Sequence, residues 1–225
     1  MKGKLYGVGV GPGDPELLTL KALRLVKEAQ IIVVPGEKAE DSVAYKIVKG
    51  AYEALDKKEL LAIPMPMTKN AELLEKYHAE AAERIRACLD EGKQVVFLTL
   101  GDPTVYSTYL YVHKRITDMG YDTEIVSGIT SFCAVAARLN QGLVEKAQPL
   151  HVLPASYQIE EGLKLPGTKV LMKAGKKLSA VKAQMQTLGE TGMMIENCGM
   201  PDERIYKSLE EIPDTASYYS LIIVK

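Results

Sequence analysis

Three glycine-rich turns carry the residue types that could hold a small charged ligand. They read Gly7-Val8-Gly9-Val10-Gly11-Pro12-Gly13-Asp14-Pro15, Leu98-Thr99-Leu100-Gly101-Asp102-Pro103-Thr104-Val105-Tyr106 and Ser127-Gly128-Ile129-Thr130-Ser131. Each turn follows an apolar run that predicts a strand and precedes a segment with helical period. Glycine lets a ligand approach the backbone, and ligands of open α/β sheets collect at the carboxyl ends of strands. The turns therefore predict one shared binding cleft.

The first turn lacks the spacing of a dinucleotide-binding fingerprint. In the G-x-G-x-x-G register, the sixth position is Pro12 when counted from Gly7 and Asp14 when counted from Gly9. No Gly-Lys-Ser/Thr follows at the spacing of a Walker loop. Asp14 before Pro15 instead predicts a helix N-cap with proline at the first helical position. A nucleotide-binding dehydrogenase is therefore disfavoured.

The second and third turns also predict helix starts. Asp102 followed by Pro103 predicts a capped helix, whose free N–H groups could meet the carboxylate of a ligand. In the third turn, the hydroxyl of Thr130 or Ser131 could cap the next helix. Capping and ligand binding both remain open for these residues.

Apolar runs alternate with helical-period segments along the chain, which predicts an α/β protein with a mostly parallel sheet. Strands are predicted near 4–10, 31–34, 60–63, 95–100, 124–126, 150–153, 169–172, 193–196 and 221–224, and helices near 16–28, 42–54, 71–91 and 104–119. The strand at 95–100 is expected to close the first domain. A polar turn near 117–122 predicts a boundary between an N-terminal α/β domain, 1–118, and a C-terminal α/β domain, 119–225. The close spacing of strands in the second part predicts a mixed sheet.

Composition and charge exclude several classes of function. The formal net charge is −1, with 28 Lys plus Arg against 29 Asp plus Glu, so a nucleic-acid partner is not expected. The cysteines Cys88, Cys133 and Cys198 are widely spaced and form no ligand cluster, which predicts reduced thiols and no metal site. No apolar run approaches the roughly 20 residues of a membrane span, and no signal-peptide pattern opens the chain. These features favour a cytoplasmic protein without a membrane partner.

Taken together, the three turns resemble the signature turns of the tetrapyrrole (corrin/porphyrin) methylase family, in order and in spacing. Further details are similar to those members that methylate C-20 of precorrin-2 or cobalt-factor II in cobalamin biosynthesis. These details are the stretch 101–116, the helix 131–140, the turn 196–201 and the terminal run 219–224. The resemblance implies the class III methyltransferase fold: two α/β domains with S-adenosylmethionine in a cleft between them. It also implies a homodimer, and S-adenosylhomocysteine as a product.

The resemblance also implies which residues contact the cofactor. They are Pro12, Leu100, Gly101, Asp102, Val105, Thr130, Ser131, Lys173, Cys198, Ser220 and Leu221. Two positions depart from the family pattern. Ser127 stands where many members have proline, and Lys173-Ala174 stands where several relatives carry a methionine.

Methyl transfer from a sulfonium mainly requires alignment of an in-line attack, and then a base for the proton that leaves the methylated carbon. Asp102 is the first candidate for that catalytic base, and Asp14 and Glu145 are the others. A tetrapyrrole carries many carboxylates, so basic and polar groups near predicted strand ends are candidates for substrate binding. The candidates are Asp14, Tyr106, Arg138 and Lys176, with Lys173, Lys177 and His151 as further basic groups. The alternatives are a family methylase acting at another macrocycle carbon and a non-catalytic nucleotide-binding protein of the same fold.

Overall fold

The computed structural model describes residues 2–66, 68, 70–155 and 159–225 of the 225-residue chain. The chain splits into two compact units, Met1–Thr130 and Ser131–Lys225. The predicted boundary at 118/119 is thus twelve residues too early. The reason is β5 (Asp122–Val126), which pairs in parallel with the first strand of the first unit. The polar turn before β5 only connects a helix to that strand.

The first unit contains a five-stranded sheet in which the neighbouring strands are parallel. Its strands are β1 (Lys4–Gly9), β2 (Ile31–Pro35), β3 (Glu59–Ile63), β4 (Val95–Thr99) and β5, in the order β3-β2-β4-β1-β5. The strand β4 therefore lies in the middle of the sheet, and the expectation that it closes the domain is wrong. Because β4, β1 and β5 are neighbours and parallel, the three glycine-rich turns leave the sheet side by side.

Both faces of this sheet are covered by helices. These are α1 (Leu20–Glu28), α2 (Val43–Ala51), α3 (Ala71–Asp90) and α4 (Tyr109–Asp118). Alternate residues of β2 point to opposite faces of the sheet. Ile32 and Val34 belong to the hydrophobic cluster formed with α1 and α2. Ile31 and Val33 belong to the hydrophobic cluster formed with α3 and α4. Burial of a strand on both faces explains its uninterrupted apolar sequence.

Two helices of the first unit begin later than the sequence pattern predicts. The helix predicted from Glu16 is a short 3-10 turn over Pro15–Leu17, followed by α1, for which Thr19 provides the N-cap. The helix predicted from Thr104 begins only at Tyr109. Between Asp102 and Tyr109 the chain adopts turns, with Tyr106 in the left-handed region at φ 49°. A left-handed residue cannot continue a right-handed helix, so the helix start is delayed.

The second unit contains a mixed sheet. Its strands are β6 (Leu150–Pro154), β7 (Thr168–Met172), β8 (Gly192–Glu196), β9 (Arg204–Tyr206) and β10 (Ser220–Val224), in the order β6-β7-β10-β8-β9. The β6–β7 pair is parallel, and the other neighbours are antiparallel. Sequence alone does not predict β9, because three residues are too few to show an alternation.

The helices of the second unit are α5 (Ser131–Arg138), α6 (Glu160–Leu163) and α7 (Leu178–Leu188). Its core joins Leu171, Met194 and Ile222 of the sheet to Leu178 and Met185 of α7. A 3-10 turn over Gly175–Lys177 connects β7 to α7. Among the residues that the structure describes, no helix combines the length and the apolar character needed to cross a membrane.

Candidate functional site

The three glycine-rich turns of the first unit meet at their backbones. Gly11 and Gly101 exchange two backbone hydrogen bonds. The Gly11 amide donates to the Gly101 carbonyl at 3.2 Å, and the Gly101 amide donates to the Gly11 carbonyl at 2.8 Å. A third bond, of 2.9 Å, runs from the Val10 amide to the carbonyl of Thr99. The Gly11–Gly101 contact is an isolated antiparallel bridge beyond the parallel β1–β4 pairing, and together these contacts fix the first turn against the second.

Glycine is required where the third turn joins the other two. A Cβ atom on Gly128 would lie 2.2 Å from the carbonyl oxygen of Gly101, and one on Gly9 would lie 2.6 Å from the same oxygen. Both contacts are with backbone, which cannot move aside as a flexible side chain could. Gly101 itself has φ +70°, a conformation that favours glycine. The close approach of the turns therefore depends on Gly9, Gly101 and Gly128 together.

Asp102 connects the second turn to the third. One carboxylate oxygen accepts a hydrogen bond from the Gly128 amide at 3.0 Å. The other accepts bonds from the amide of Thr104, at 2.8 Å, and from its hydroxyl. The side chain is buried, and the helix predicted to start here begins seven residues later, at Tyr109. Asp102 thus caps a local turn and not a helix, so the helix N-terminus that the sequence predicts here for a ligand carboxylate is absent at this position.

Three buried hydroxyls have no hydrogen-bond partner within the described part of the chain: Thr99 Oγ1, Thr130 Oγ1 and Ser220 Oγ. The hydroxyl of Thr130 therefore does not cap α5. Thr130 and Ser220 are two of the predicted cofactor contacts, whereas Thr99 is not among the residues predicted from sequence. Because a buried polar group without a partner is costly, these hydroxyls are suited to a polar ligand. Strand-end position is the sequence signal that could have pointed to Thr99.

The other predicted residues of the first unit differ in exposure. Pro12 is buried, Leu100 and Val105 are half-buried, and Tyr106 is 47% exposed. Asp14 is half-buried. Its carboxylate accepts a hydrogen bond from the Glu16 amide at 2.8 Å, as its predicted capping role requires. The left-handed conformation of Tyr106 is uncommon for a large side chain and occurs preferentially at functional sites.

The predicted cofactor contacts at 173, 198, 220 and 221 lie at one edge of the second sheet. Lys173 directly follows β7, Cys198 lies two residues after β8, and Ser220 and Leu221 begin β10. The antiparallel register pairs Leu221 with Met172 and Ser220 with Glu196. The ends of three neighbouring strands therefore bring these residues together.

A hydrogen-bond network shapes this edge. Glu196 is buried, and its carboxylate accepts the amide of Ser217 at 2.6 Å. The Ser217 hydroxyl donates to the side-chain oxygen of Asn197 at 2.8 Å, and the amide group of that asparagine donates to Asp202 at 2.7 Å. Lys173 and Asn197 both have left-handed backbones, at φ 62° and 54°. The segment before β10 is thus held by residues at the end of β8.

The remaining predicted residues of the second unit lie in varied surroundings. Ser131 opens α5 and is half-buried, and the exposed Arg138, at the end of the same helix, donates to Glu203 at 2.7 Å. Glu145 and Lys177 are exposed, and His151 contacts the carbonyl of Pro166 through Nε2 at 3.0 Å. The backbone of Lys176 lies in the turn after β7, but its side chain is outside the described part of the structure.

The similarity of the chain to known proteins extends over nearly its whole length. The family model for tetrapyrrole (corrin/porphyrin) methylases matches residues 4–213. The chain belongs to this family. A probable cobalt-precorrin-2 C(20)-methyltransferase of Methanocaldococcus jannaschii is 39% identical, over 99% of this chain and 96% of that protein. The cobalt-precorrin-2 C(20)-methyltransferase of Salmonella typhimurium is 33% identical, over 100% of this chain and 97% of that protein.

A solved tetrapyrrole methylase structure shares the fold. It is the uroporphyrin-III C-methyltransferase of Thermus thermophilus in complex with S-adenosylhomocysteine, which matches at a TM-score of 0.73 and 25% identity, over 99% of this chain and 97% of that one. The residues of the present chain fit S-adenosylmethionine. The buried, unpartnered hydroxyls of Thr130 and Ser220 stand where the family resemblance implies cofactor contacts. An added Cβ on Gly101 would meet no atom closer than 4.0 Å, so there is space for a ligand group beside its Cα.

Proposed function

We propose that this tetrapyrrole methylase transfers a methyl group from S-adenosylmethionine to C-20 of precorrin-2 or cobalt-factor II in cobalamin biosynthesis. Its support in sequence is the full-length similarity to two relatives named for methylation at C-20. The structural observation that carries it is the meeting of the three signature turns at Gly9, Gly101 and Gly128. This meeting places the backbones of the three turns, with the Thr130 hydroxyl of the third, at the carboxyl ends of adjacent strands, where ligands of open α/β sheets bind.

The proposed cofactor contacts are those that the family resemblance implies. In the first unit they are Pro12, Leu100, Gly101, Val105 and Thr130. In the second unit they are Ser131, Lys173, Cys198, Ser220 and Leu221. We assign Asp102 the task of holding the turns, because both of its carboxylate oxygens already accept hydrogen bonds from the turns themselves. The unpartnered hydroxyls of Thr130 and Ser220 are expected to hydrogen-bond polar groups of the ligand.

Catalysis then rests mainly on orientation. S-adenosylmethionine supplies a methyl group on a positively charged sulfur, and this group needs no activation by a nucleophilic side chain. The task of the chain is to align the electron-rich ring carbon with that methyl group and to exclude water. The ring carbon, once methylated, must release its proton. Asp14 lies in the first glycine-rich turn, where one of its carboxylate oxygens accepts a hydrogen bond from the Glu16 amide, and we assign it the role of base in preference to Glu145, which lies outside the three turns.

Turnover with a defined macrocycle tests the proposal. The protein is incubated anaerobically with S-adenosylmethionine that carries an isotopically labelled methyl group, and with precorrin-2 or cobalt-factor II in parallel. Mass spectrometry is expected to show the gain of one labelled methyl group, and carbon NMR to place it on C-20. The comparison of metal-free and cobalt-loaded substrate decides which form is used. A label on another carbon would overturn the C-20 assignment and favour a different family methylase.

Binding measurements separate the remaining alternatives. Calorimetry with S-adenosylhomocysteine and with NAD is expected to show binding of the first alone. Tight binding of NAD alone would contradict the assignment of S-adenosylmethionine as the cofactor. Binding of S-adenosylhomocysteine without turnover of either macrocycle would indicate a non-catalytic protein of the same fold.

The proposal also includes a homodimer and a cytoplasmic location. Both have the support of family membership. Light scattering on the purified protein tests the first, with twice the mass of one chain expected. Fractionation of the producing cells tests the second.

A further inference from the structure

One carboxylate joins two segments of the second unit. An oxygen of Glu203 accepts the Nε proton of Arg138 at 2.7 Å, and its other oxygen accepts the amide proton of Gly199 at 2.8 Å. Arg138 is the last residue of α5, and Gly199 directly follows Cys198 in the turn after β8. The end of a helix and the turn beside it are thus connected through a single side chain.

The exposure of the two partners shows which of them depends on the other. The Glu203 side chain is only 13% exposed, whereas that of Arg138 is 59% exposed. A carboxylate with little access to water needs its cationic partner more than an exposed guanidinium needs the carboxylate. The hydrogen bond from Arg138 to Glu203 also raises the pKa of the guanidinium. Loss of Arg138 would therefore leave Glu203 with the Gly199 amide and reduced compensation for its charge.

The turn held by Glu203 is also where a proposed cofactor contact lies. Asn197 has a left-handed backbone conformation. Its carbonyl accepts a hydrogen bond from the Met200 amide at 2.9 Å, and its side-chain amide donates one to Asp202. Cys198 lies within this turn and is buried. The helix α5 in turn lies against β10, the strand that begins with Ser220. Arg138 and Glu203 therefore tie the Cys198 turn to the helix that packs on the Ser220 strand.

We infer that Arg138 is a positioning residue for cofactor binding: through Glu203 it fixes the turn that carries Cys198 beside the strand that begins at Ser220. The inference rests on the proposed function, because it takes Cys198 and Ser220 as cofactor contacts. This role differs from the substrate binding that the sequence suggests for Arg138. It follows from the pairing of the Arg138 Nε with Glu203.

The decisive measurement separates cofactor affinity from substrate affinity. In Arg138→Gln, calorimetry is expected to show S-adenosylhomocysteine binding weakened about fivefold to tenfold, which is less than the loss of a charged hydrogen bond to the ligand itself, because Arg138 acts on the cofactor only through Glu203. The KM for the tetrapyrrole at saturating S-adenosylmethionine should stay unchanged. Arg24→Gln is the matched control, because Arg24 is 56% exposed and pairs with Glu28 at 2.8 Å within α1. This control should bind S-adenosylhomocysteine like the wild type.

A double-mutant cycle tests whether Arg138 acts through Glu203. If it does, Arg138→Gln added to Glu203→Gln should weaken binding little beyond Glu203→Gln alone. Should Arg138→Gln fail to fold, Glu203→Gln alone tests the same link: it should weaken S-adenosylhomocysteine binding while the KM for the tetrapyrrole stays unchanged. Additive losses, or a raised tetrapyrrole KM with unchanged S-adenosylhomocysteine affinity, would overturn the inference. Absence of binding to the wild type would instead overturn the proposed function.

Discussion

The backbone amide of Gly128 donates a hydrogen bond of 3.0 Å to the carboxylate of Asp102, and this bond joins the third glycine turn to the second. Because the other oxygen of Asp102 is bonded to Thr104, the carboxylate spans both turns from a buried position. The carboxylate therefore acts as a structural clamp that holds the two turns together through the amides of Thr104 and Gly128. A general base, by contrast, must be within reach of the proton that it removes.

Asp102→Ala removes this clamp and is expected to lower stability and cofactor affinity together. Loss of hydrogen bonds to a buried charged group costs about 1.5–3 kcal/mol. Chemical denaturation measures the first effect, and calorimetry with S-adenosylhomocysteine measures the second. Unchanged stability and affinity would mean that the turns are held by other contacts.

Asp102→Asn distinguishes the clamp from a catalytic base. The asparagine keeps one acceptor oxygen, so part of the clamp survives while the capacity to take up a proton is lost. We expect a moderate loss of affinity for S-adenosylhomocysteine and a kcat within about tenfold of the wild type, which is less than the roughly 100-fold contribution of a general base. A much larger fall in kcat with normal cofactor affinity would restore Asp102 as the base.

Gly128→Ala is expected to separate the third turn from the other two. The added methyl group would lie 2.2 Å from the carbonyl oxygen of Gly101, so the backbone of one turn must move. Overpacking of this kind costs typically about 1–3 kcal/mol, and S-adenosylhomocysteine binding should fall with it. Gly142→Ala is the control, because its nearest neighbour would be 3.7 Å away. Equal behaviour of the two variants in denaturation and calorimetry would refute the close approach.

The glycines at which the three turns meet could be predicted because the signal is local. A strand followed by glycine and a polar residue marks a strand end, and parallel neighbours bring their ends to the same edge. Gly9, Gly101 and Gly128 follow from that rule. The central position of β4 does not, because strand order depends on which strands pair over long distances.

The start of α4 shows the limit of local reasoning. The sequence Asp102-Pro103 has the composition of a helix start, yet the Asp102 carboxylate is used by Thr104 and by the distant Gly128. The partner 26 residues away is invisible in the local pattern. The same holds for Arg138, whose pairing with Glu203 spans 65 residues. Tertiary contacts decide between the roles that a polar side chain could have.

Thr130→Val tests whether the unpartnered hydroxyl serves a ligand. In the free protein this replacement leaves no donor unsatisfied, so stability should be unchanged or slightly higher. Affinity for S-adenosylhomocysteine should fall about threefold to tenfold, as expected for one neutral hydrogen bond. Thr187→Val, in which a hydroxyl bonded to its own helix is removed, should bind normally. Unaltered binding by Thr130→Val would remove Thr130 from the proposed contacts.

His78 is expected to make the protein less stable as the pH falls below neutrality. Its ring is buried and stacks on Tyr111 with centroids 4.7 Å apart, and burial, with a smaller effect of the Arg115 charge, lowers its pKa, against an opposing effect of Glu75. Below the unfolded-state pKa of about 6.5, the unfolded chain binds a proton that the folded protein resists, so the free energy of unfolding decreases.

His78→Phe keeps a stacked ring and removes this proton uptake. Denaturation between neutral pH and mild acid should therefore show a smaller loss of stability in the variant. The pKa of His113 is also lowered by burial, but this residue is common to both proteins. Parallel stability curves for wild type and variant would show that His78 takes up its proton equally well in the folded protein.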